Sequence, residues 1–337
     1  MAPTTKLDIV FGAMTFGKEG EEQVRTSNLS DCAAILDTFQ KHGHAEIDTS
    51  RFYGGGTSEQ YLADLKWQDR GLVMDTKFYP NVHGLMGRPI THLDAESMHD
   101  GLSTSLQALG GAEKVDLWYL HAPDRSVALE ETLKTVDALH KQGKFERWGV
   151  SNYMSWEVAT ICEICDREGY KRPDVYQGVY NALNRTIENE LLPCLRKYNM
   201  SFYAFNPLAG GYLTDRYHRN IDDSSIEAGS RFDPSKLQGK TYRARYWNDE
   251  FFGALEILRT ATKQEGIRES EAALRWMMHH SQLDRKFGDK VIIGASSEKQ
   301  LQQNLGDFEK GSLPEGVLAA FDQGRDMCRG VTWKYFH

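Results

Sequence analysis

The segment EIDTSRFYGGGTSEQYLADL, residues 46–65, decides how the rest of the chain is read. It opens as a short apolar run and turns polar at Asp48. Tyr53 follows, then Gly54, Gly55 and Gly56, then a helical stretch from about Ser58. A strand that ends on a carboxylate and feeds a helix through a loop is half of a repeating βα unit, whose strand ends carry the chemistry in parallel sheets. The glycines predict a tight turn into the helix that fixes Tyr53 rather than freeing it.

Outward from this unit the same alternation recurs. Strand-length runs occupy 7–14, 45–50, 72–78, 116–122, 147–152, 175–181, 201–208 and 290–296. Between them lie amphipathic segments such as SDCAAILDTFQKHG, with Ser30 as expected N-cap and Gly43 as stop, DAESMHDGLSTSLQALG and SVALEETLKTVDALHKQGK. Eight strand–helix repeats predict an α/β fold of the (β/α)8 barrel type, with residues 1–337 as a single domain. A doubly wound sheet would carry a G-x-G-x-x-G turn after an early strand, and none occurs. The polar stretch 216–239, after the seventh strand, is long for a loop in a compact barrel and is expected to act as a lid or binding loop, with partial disorder as the alternative reading.

Composition narrows the function. The chain has 337 residues, a net charge of −8 and a pI near 5.8, which speaks against a nucleic-acid or anionic-membrane surface. No apolar run reaches membrane-span length. The N-terminus lacks a secretory pattern, and the five scattered cysteines suit reduced thiols, so a cytoplasmic location is expected. Cys162 and Cys165 form a C-x-x-C inside a helical pattern and are read as helix packing. His279 and His280 are read as surface and packing, and no metal-ligand spacing appears.

The predicted strands end in polar residues: Asp48, Lys77, His121, Ser151 with Asn152, Gln177, Asn206, and Gly294 to Ser297. Each alone reads as a turn or snorkelling residue. Three ionisable groups on successive strands, with Tyr53 beyond the first, suit proton donation to a carbonyl oxygen. Tyr53 would be the general acid, Lys77 the cation expected to lower its pKa, Asp48 the partner that keeps Lys77 charged, and His121 a hydrogen-bonding partner of the oxygen. No G-x-S-x-G elbow is present, which argues against a serine hydrolase. A metal-dependent barrel hydrolase would need more His and Asp ligands at strand ends than His121 and Asp48.

The set Asp48, Tyr53, Lys77, His121, within EIDTSRFYGGGTSE, DTKF, DLWYLHAPD, RWGVSNY and YQGVYN, resembles the catalytic tetrad and flanking motifs of the aldo-keto reductases. FYAFNPLAGGYLTDRY, RYW, ALRWMMHHSQL and GASSEKQLQQN are similar to the aflatoxin-aldehyde reductase subgroup, and the resemblance runs over essentially the whole chain. It implies NADPH-dependent reduction of an aldehyde or ketone, with the cofactor extended across the barrel rim. By motif, Ser151, Asn152 and Gln177 would hold the nicotinamide carboxamide and Phe205 would stack on the ring. Asn206, Pro207, Leu208, Gly210, Gly211 and Arg216 belong to the expected pyrophosphate loop, and Arg231 is a further cofactor contact. Gly294, Ser296, Ser297, Gln300 and Asn304 would hold the 2′-phosphate end. Many members place Lys and Arg there; this chain has Ala295 and Gln300, so NADH stays open as a weaker alternative, with Arg216 and Arg231 as substitute cations. Tyr242 and Arg245, with His121, would face a small-molecule carbonyl substrate. The ending GVTWKYFH departs from the subgroup, which leaves substrate identity open. The resemblance suggests a homodimer, and it allows a non-catalytic NADPH-binding sensor barrel as the competing reading.

Overall fold

The computed structural model describes residues 3–337. Eight parallel strands close into a barrel in sequence order. They are β1 (Asp8–Gly12), β2 (Glu46–Asp48), β3 (Val73–Phe78), β4 (Val115–Leu120), β5 (Phe145–Ser151), β6 (Val175–Val179), β7 (Ser201–Phe205) and β8 (Lys290–Ile293). Around them run α1 (Leu29–Lys41), α2 (Thr57–Asp64), α3 (Ala95–Ala108), α4 (Leu129–Lys141), α5 (Ser155–Glu168) and α6 (Leu191–Lys197). Three helices, α7 (Leu237–Tyr246), α8 (Asp249–Gln264) and α9 (Glu269–His279), separate β7 from β8, and α10 (Glu298–Phe308) and α11 (Glu315–Cys328) follow. This is the (β/α)8 barrel. Among the described residues no helix is long and apolar enough to cross a membrane.

Alternation of side chains along each strand builds two apolar layers. Outward-facing Phe11, Ile47, Trp118 and Phe202 pack under the helices, while Val10, Leu117, Tyr119, Val175, Tyr203 and Ile292 fill the barrel interior. Local expectations shift at the edges. The strands are shorter than their apolar runs. Lys77 and Gln177 sit one and two residues before their strands end, whereas His121, Asn152 and Asn206 lie just beyond theirs. The ladders stop where the backbone turns left-handed, with φ +67° at Asn152 and +60° at Asn206. The cap of α1 is Asn28 rather than Ser30, because the Asn28 side-chain oxygen accepts from the Ser30 amide at 2.8 Å. Cys162 and Cys165 are buried unpaired thiols in α5, pushed up to about 12 by burial, in keeping with packing. His279 and His280 tie the end of α9 to the backbone of Lys310 and Leu313.

The N-terminal end of the barrel holds a charged cluster. Glu46 accepts from Lys290, from Tyr203 Oη at 3.0 Å and from Arg147 at 3.2 Å, and Arg147 also binds Asp116 at 2.5 Å. Asp75 lies fully buried among them, its carboxyl near those of Glu46 and Asp116, and no donor reaches either of its oxygens. The cluster thus has three carboxylates for two cations. Burial, then the charges of Glu46 and Asp48, raise the Asp75 pKa well above its ordinary value, so Asp75 is a neutral acid able to donate to Glu46. The sign follows: the folded state holds a proton that the unfolded chain releases above about pH 4, so stability falls as pH rises from there through the folded pKa. Asp75→Asn, which keeps a donor and removes the acid, is expected to stabilise the protein by about 1 kcal/mol at neutral pH and flatten melting temperature against pH. A destabilised variant with an unchanged pH profile would show that the proton is elsewhere.

Candidate active site

At the opposite end, the register that pairs Asp48 with Asp75 brings Lys77, two residues further along β3, level with the rim. Lys77 is fully buried; its Nζ donates to Asp48 Oδ2 at 2.6 Å, to the Thr49 carbonyl at 2.7 Å and to Tyr53 Oη at 3.3 Å. Tyr53 is delivered by the turn after β2. Gly54, Gly55 and Gly56 have φ of +53°, +65° and +90°, and a Cβ on Gly55 would fall 2.3 Å from Glu21 Oε2. The glycines are therefore a fixed turn that seats the phenol over Lys77. His121 completes the group, edge-on to Tyr53 at 5.8 Å between ring centroids, with Ser50 Oγ 3.3 Å from its Nδ1. The four residues expected to act together form one cluster at the barrel mouth.

Their electrostatics differ from the sequence expectation in one respect. Lys77 does pull the Tyr53 pKa down, but burial outweighs it and the net shift is upward. At neutral pH Tyr53 is a phenol with its proton in place, which is the form an acid needs. Burial works against the charge on Lys77, but Asp48 and the Tyr53 oxygen outweigh it and raise its pKa, keeping it an ammonium. Burial raises the Asp48 pKa, while hydrogen bonds from Lys77 and from Gln177 Nε2 at 2.8 Å oppose that. Burial, then Lys77 and His337, push His121 well below its usual value, so it is a neutral ring. It can hydrogen-bond a carbonyl oxygen but holds no spare proton.

A groove of about 430 Å³ runs from this cluster across the rim. Asp48, Tyr53 and His121 line one end; Ser151, Asn152, Gln177 and Phe205 adjoin them; then come Asn206, Pro207, Leu208, Gly210, Gly211, Arg216 and Arg231, and finally Gly294, Ser296 and Gln300. Ser297 and Asn304 do not line it. Ser297 is occupied as the N-cap of α10, accepting from the Gln300 amide, and Asn304 is buried one helical turn further on. Tyr242 Oη donates to Asn206 Oδ1 at 3.0 Å and its ring packs against Gly210, where a Cβ would come within 2.2 Å. Asn206 Nδ2 is buried without a partner.

Several groove residues were not foreseen. The strap 216–239 contacts the β1–α1 loop: Glu227 pairs with Arg25, and the Gln238 backbone amide donates to Glu22; within the strap Glu227 also pairs with Arg216. Arg25 and Glu227 both line the groove, and no local pattern marked either. The divergent C-terminal segment folds back over the mouth: the His337 amide donates to the Asn152 carbonyl, and Trp333 stacks on Arg245 at 5.4 Å. Tyr242 lies 5.5 Å from the same guanidinium. Among the described residues no carboxylate lies within ion-pair reach of Arg245, and its Nε is buried without a partner.

A closed parallel barrel with ionisable groups gathered at the C-terminal rim has the architecture of a barrel enzyme. The chain belongs to the aldo/keto reductase family, whose pattern matches residues 8–325. It is 49% identical over 302 residues to an aldo-keto reductase of Pseudocercospora fijiensis, covering 90% of this chain and 100% of that one. It is 41% identical to the aldo-keto reductase pigE of Monascus ruber, covering 100% of this chain and 99% of the relative. It is also 41% identical to aflatoxin B1 aldehyde reductase member 2 of Mus musculus, over 97% of this chain and 87% of the relative. The family acts on small-molecule carbonyl compounds.

Proposed function

We propose that this chain reduces an aldehyde or ketone to the alcohol with NADPH, with Tyr53 as the proton donor. The observation that carries the reading is the buried row Asp48–Lys77–Tyr53, in which a protonated phenol lies 3.3 Å from an ammonium held charged by a carboxylate. The groove suits an extended dinucleotide: the unpartnered Nδ2 of Asn206 and the glycine backbone beside it offer donors to phosphate oxygens. Ser151, Asn152 and Gln177 would orient a carboxamide and Phe205 a flat ring. Bound there, the reduced cofactor supplies hydride to the carbonyl carbon.

The protein's part is the proton and the charge. As the carbonyl oxygen gains negative charge, the Tyr53 hydroxyl passes its proton to it, and neutral His121 hydrogen-bonds the same oxygen. The phenolate left behind faces Lys77, whose charge stabilises it. Arg245, held between Tyr242 and Trp333, would receive an acidic group on the substrate.

The test is turnover. The purified protein is expected to oxidise NADPH with 4-nitrobenzaldehyde. It should take 4-carboxybenzaldehyde at lower KM than benzaldehyde, an advantage that Arg245→Met removes. Tight NADPH binding with no turnover across a broad carbonyl panel would instead identify a non-catalytic binding barrel.

A further inference from the structure

The helix after Tyr53 buries two polar side chains that the chemistry above does not use. They are Ser58 and Glu59, in the first turn of α2, and neither reaches solvent. Burying such groups is unfavourable unless their polar atoms find partners, and here they do. Ser58 Oγ donates to the Ala13 carbonyl at 2.9 Å and lies 2.9 Å from Thr49 Oγ1. The two Glu59 oxygens are divided between two elements. Thr76 Oγ1 donates to Oε1 at 2.6 Å, and Arg51 Nη1 donates to Oε2 at 3.1 Å. The same Arg51 nitrogen donates to the Gly56 carbonyl at 2.7 Å, and a Cβ on Gly56 would fall 2.9 Å from Arg51 Nη2.

These contacts reach the active-site cluster from behind. Thr76 precedes Lys77 on β3 and is in register with the outward-facing Trp118, so it points to α2 while Lys77 points into the barrel. Thr49, beside Ser58, supplies the carbonyl that accepts from Lys77 Nζ. Arg51 and Gly56 stand on either side of Tyr53 in the chain and are held together across its turn. One buried carboxylate thus ties the strand that carries Lys77 to the turn that carries Tyr53. The contact between those two side chains is 3.3 Å, long for an N–H···O bond and too weak to set its own geometry.

We propose that Glu59 is a positioning residue for the proton transfer, fixing the distance between Tyr53 Oη and Lys77 Nζ. This rests on the reading of Tyr53 as proton donor. With Thr76 and Arg51 on one carboxylate, β3 and the glycine turn hold a single arrangement. Without it the turn loosens and the phenol swings away from the ammonium. The phenolate left after proton transfer then lacks its stabilising cation, and the barrier rises. The groove residues assigned to the cofactor lie on β5 to β8 and the loops after them, so its binding is untouched.

Steady-state kinetics of the full-length protein with NADPH and 4-nitrobenzaldehyde test this, with kcat counted per NADPH-binding site so that unfolded protein does not enter. Glu59→Gln keeps the shape of the side chain and removes the charge that pairs with Arg51. It is expected to lower kcat about tenfold, while KM for the aldehyde and Kd for NADPH stay within about twofold. Arg51→Met cuts the same bridge from its half-exposed end and is expected to lower kcat about fivefold, again without a change in KM. The double variant should be no slower than Glu59→Gln alone, because both substitutions break one unit. If Glu59→Gln lowers the melting temperature but keeps kcat per site within about twofold of wild type, Glu59 serves folding alone and the inference falls. If that variant does not fold, Arg51→Met decides: an unchanged kcat per site overturns the proposal. Losses that multiply in the double variant overturn it as well. Turnover by the wild type with insensitive variants removes Glu59 and leaves the enzyme reading standing. A wild type that binds NADPH but reduces no carbonyl removes both.

Discussion

Tyr53→Phe is expected to lower kcat for carbonyl reduction by about 10²–10⁴-fold, the usual worth of a positioned general acid, while NADPH binds nearly as well as before. The substitution removes one oxygen and leaves the ring that packs beside His121. The loss should fall on kcat and kcat/KM alike, because in the proposed mechanism the hydroxyl acts where charge develops on the carbonyl oxygen. The pH profile is a second reading. The Tyr53 pKa lies above 10.0 in the fold, and His121 lies well below 6.5, so neither changes state near neutrality. Reduction by the wild type is expected to be flat between about pH 6.5 and 9 as far as these groups govern it, and to fall as rising pH strips the Tyr53 proton. A variant retaining more than about a tenth of wild-type kcat would remove Tyr53 from the role of acid.

Lys77→Met is expected to damage both stability and turnover. Lys77 and Asp48 are both buried, and the methionine leaves the carboxylate with Gln177 as its remaining side-chain donor. Breaking a buried pair from one side costs about 3–5 kcal/mol, since the surviving charge has lost its partner. The Lys77 pKa is raised in the fold, so the stabilisation it contributes is complete below its unfolded value and is lost as pH rises through the folded one; the deficit of the variant should shrink at strongly alkaline pH. Turnover should fall at least about a hundredfold, because the Tyr53 oxygen loses the cation that stabilises it once the proton leaves. Asp48→Asn with Lys77→Met separates the effects. Denaturant unfolding is expected to recover most of the lost stability in the double variant, with turnover still low. Recovery of turnover in the double variant would mean that the lysine serves packing alone.

Much of this site was legible in the chain because its signals are local. A strand, a polar residue at its end and a helix give period and composition changes within about ten residues, and repeating them fixes the barrel. Asp48, Lys77 and His121 stood out because each interrupts an apolar run at corresponding points of successive units. Three things were not legible. Whether burial or Lys77 governs the Tyr53 proton is a contest between two environmental effects of opposite sign. Ser297 and Asn304 sit in a motif shared with the groove, but helix geometry turns one into a cap and buries the other. Arg25 and Glu227 are ordinary surface charges 202 positions apart until the strap crosses the rim.

The sequence by itself determined the (β/α)8 order, the chemical types at the strand ends and the fixed turn that carries Tyr53, because these depend on backbone preference and side-chain period over short stretches. Only the tertiary structure decided which charges face each other. Closure of the barrel sets Lys77 against Asp48, leaves Asp75 the third acid beside two cations, and joins Glu227 to Arg25, 202 positions away. The proton on a carboxyl or a phenol follows from the sum of burial and neighbouring charge, and those neighbours come from elements far apart in the chain.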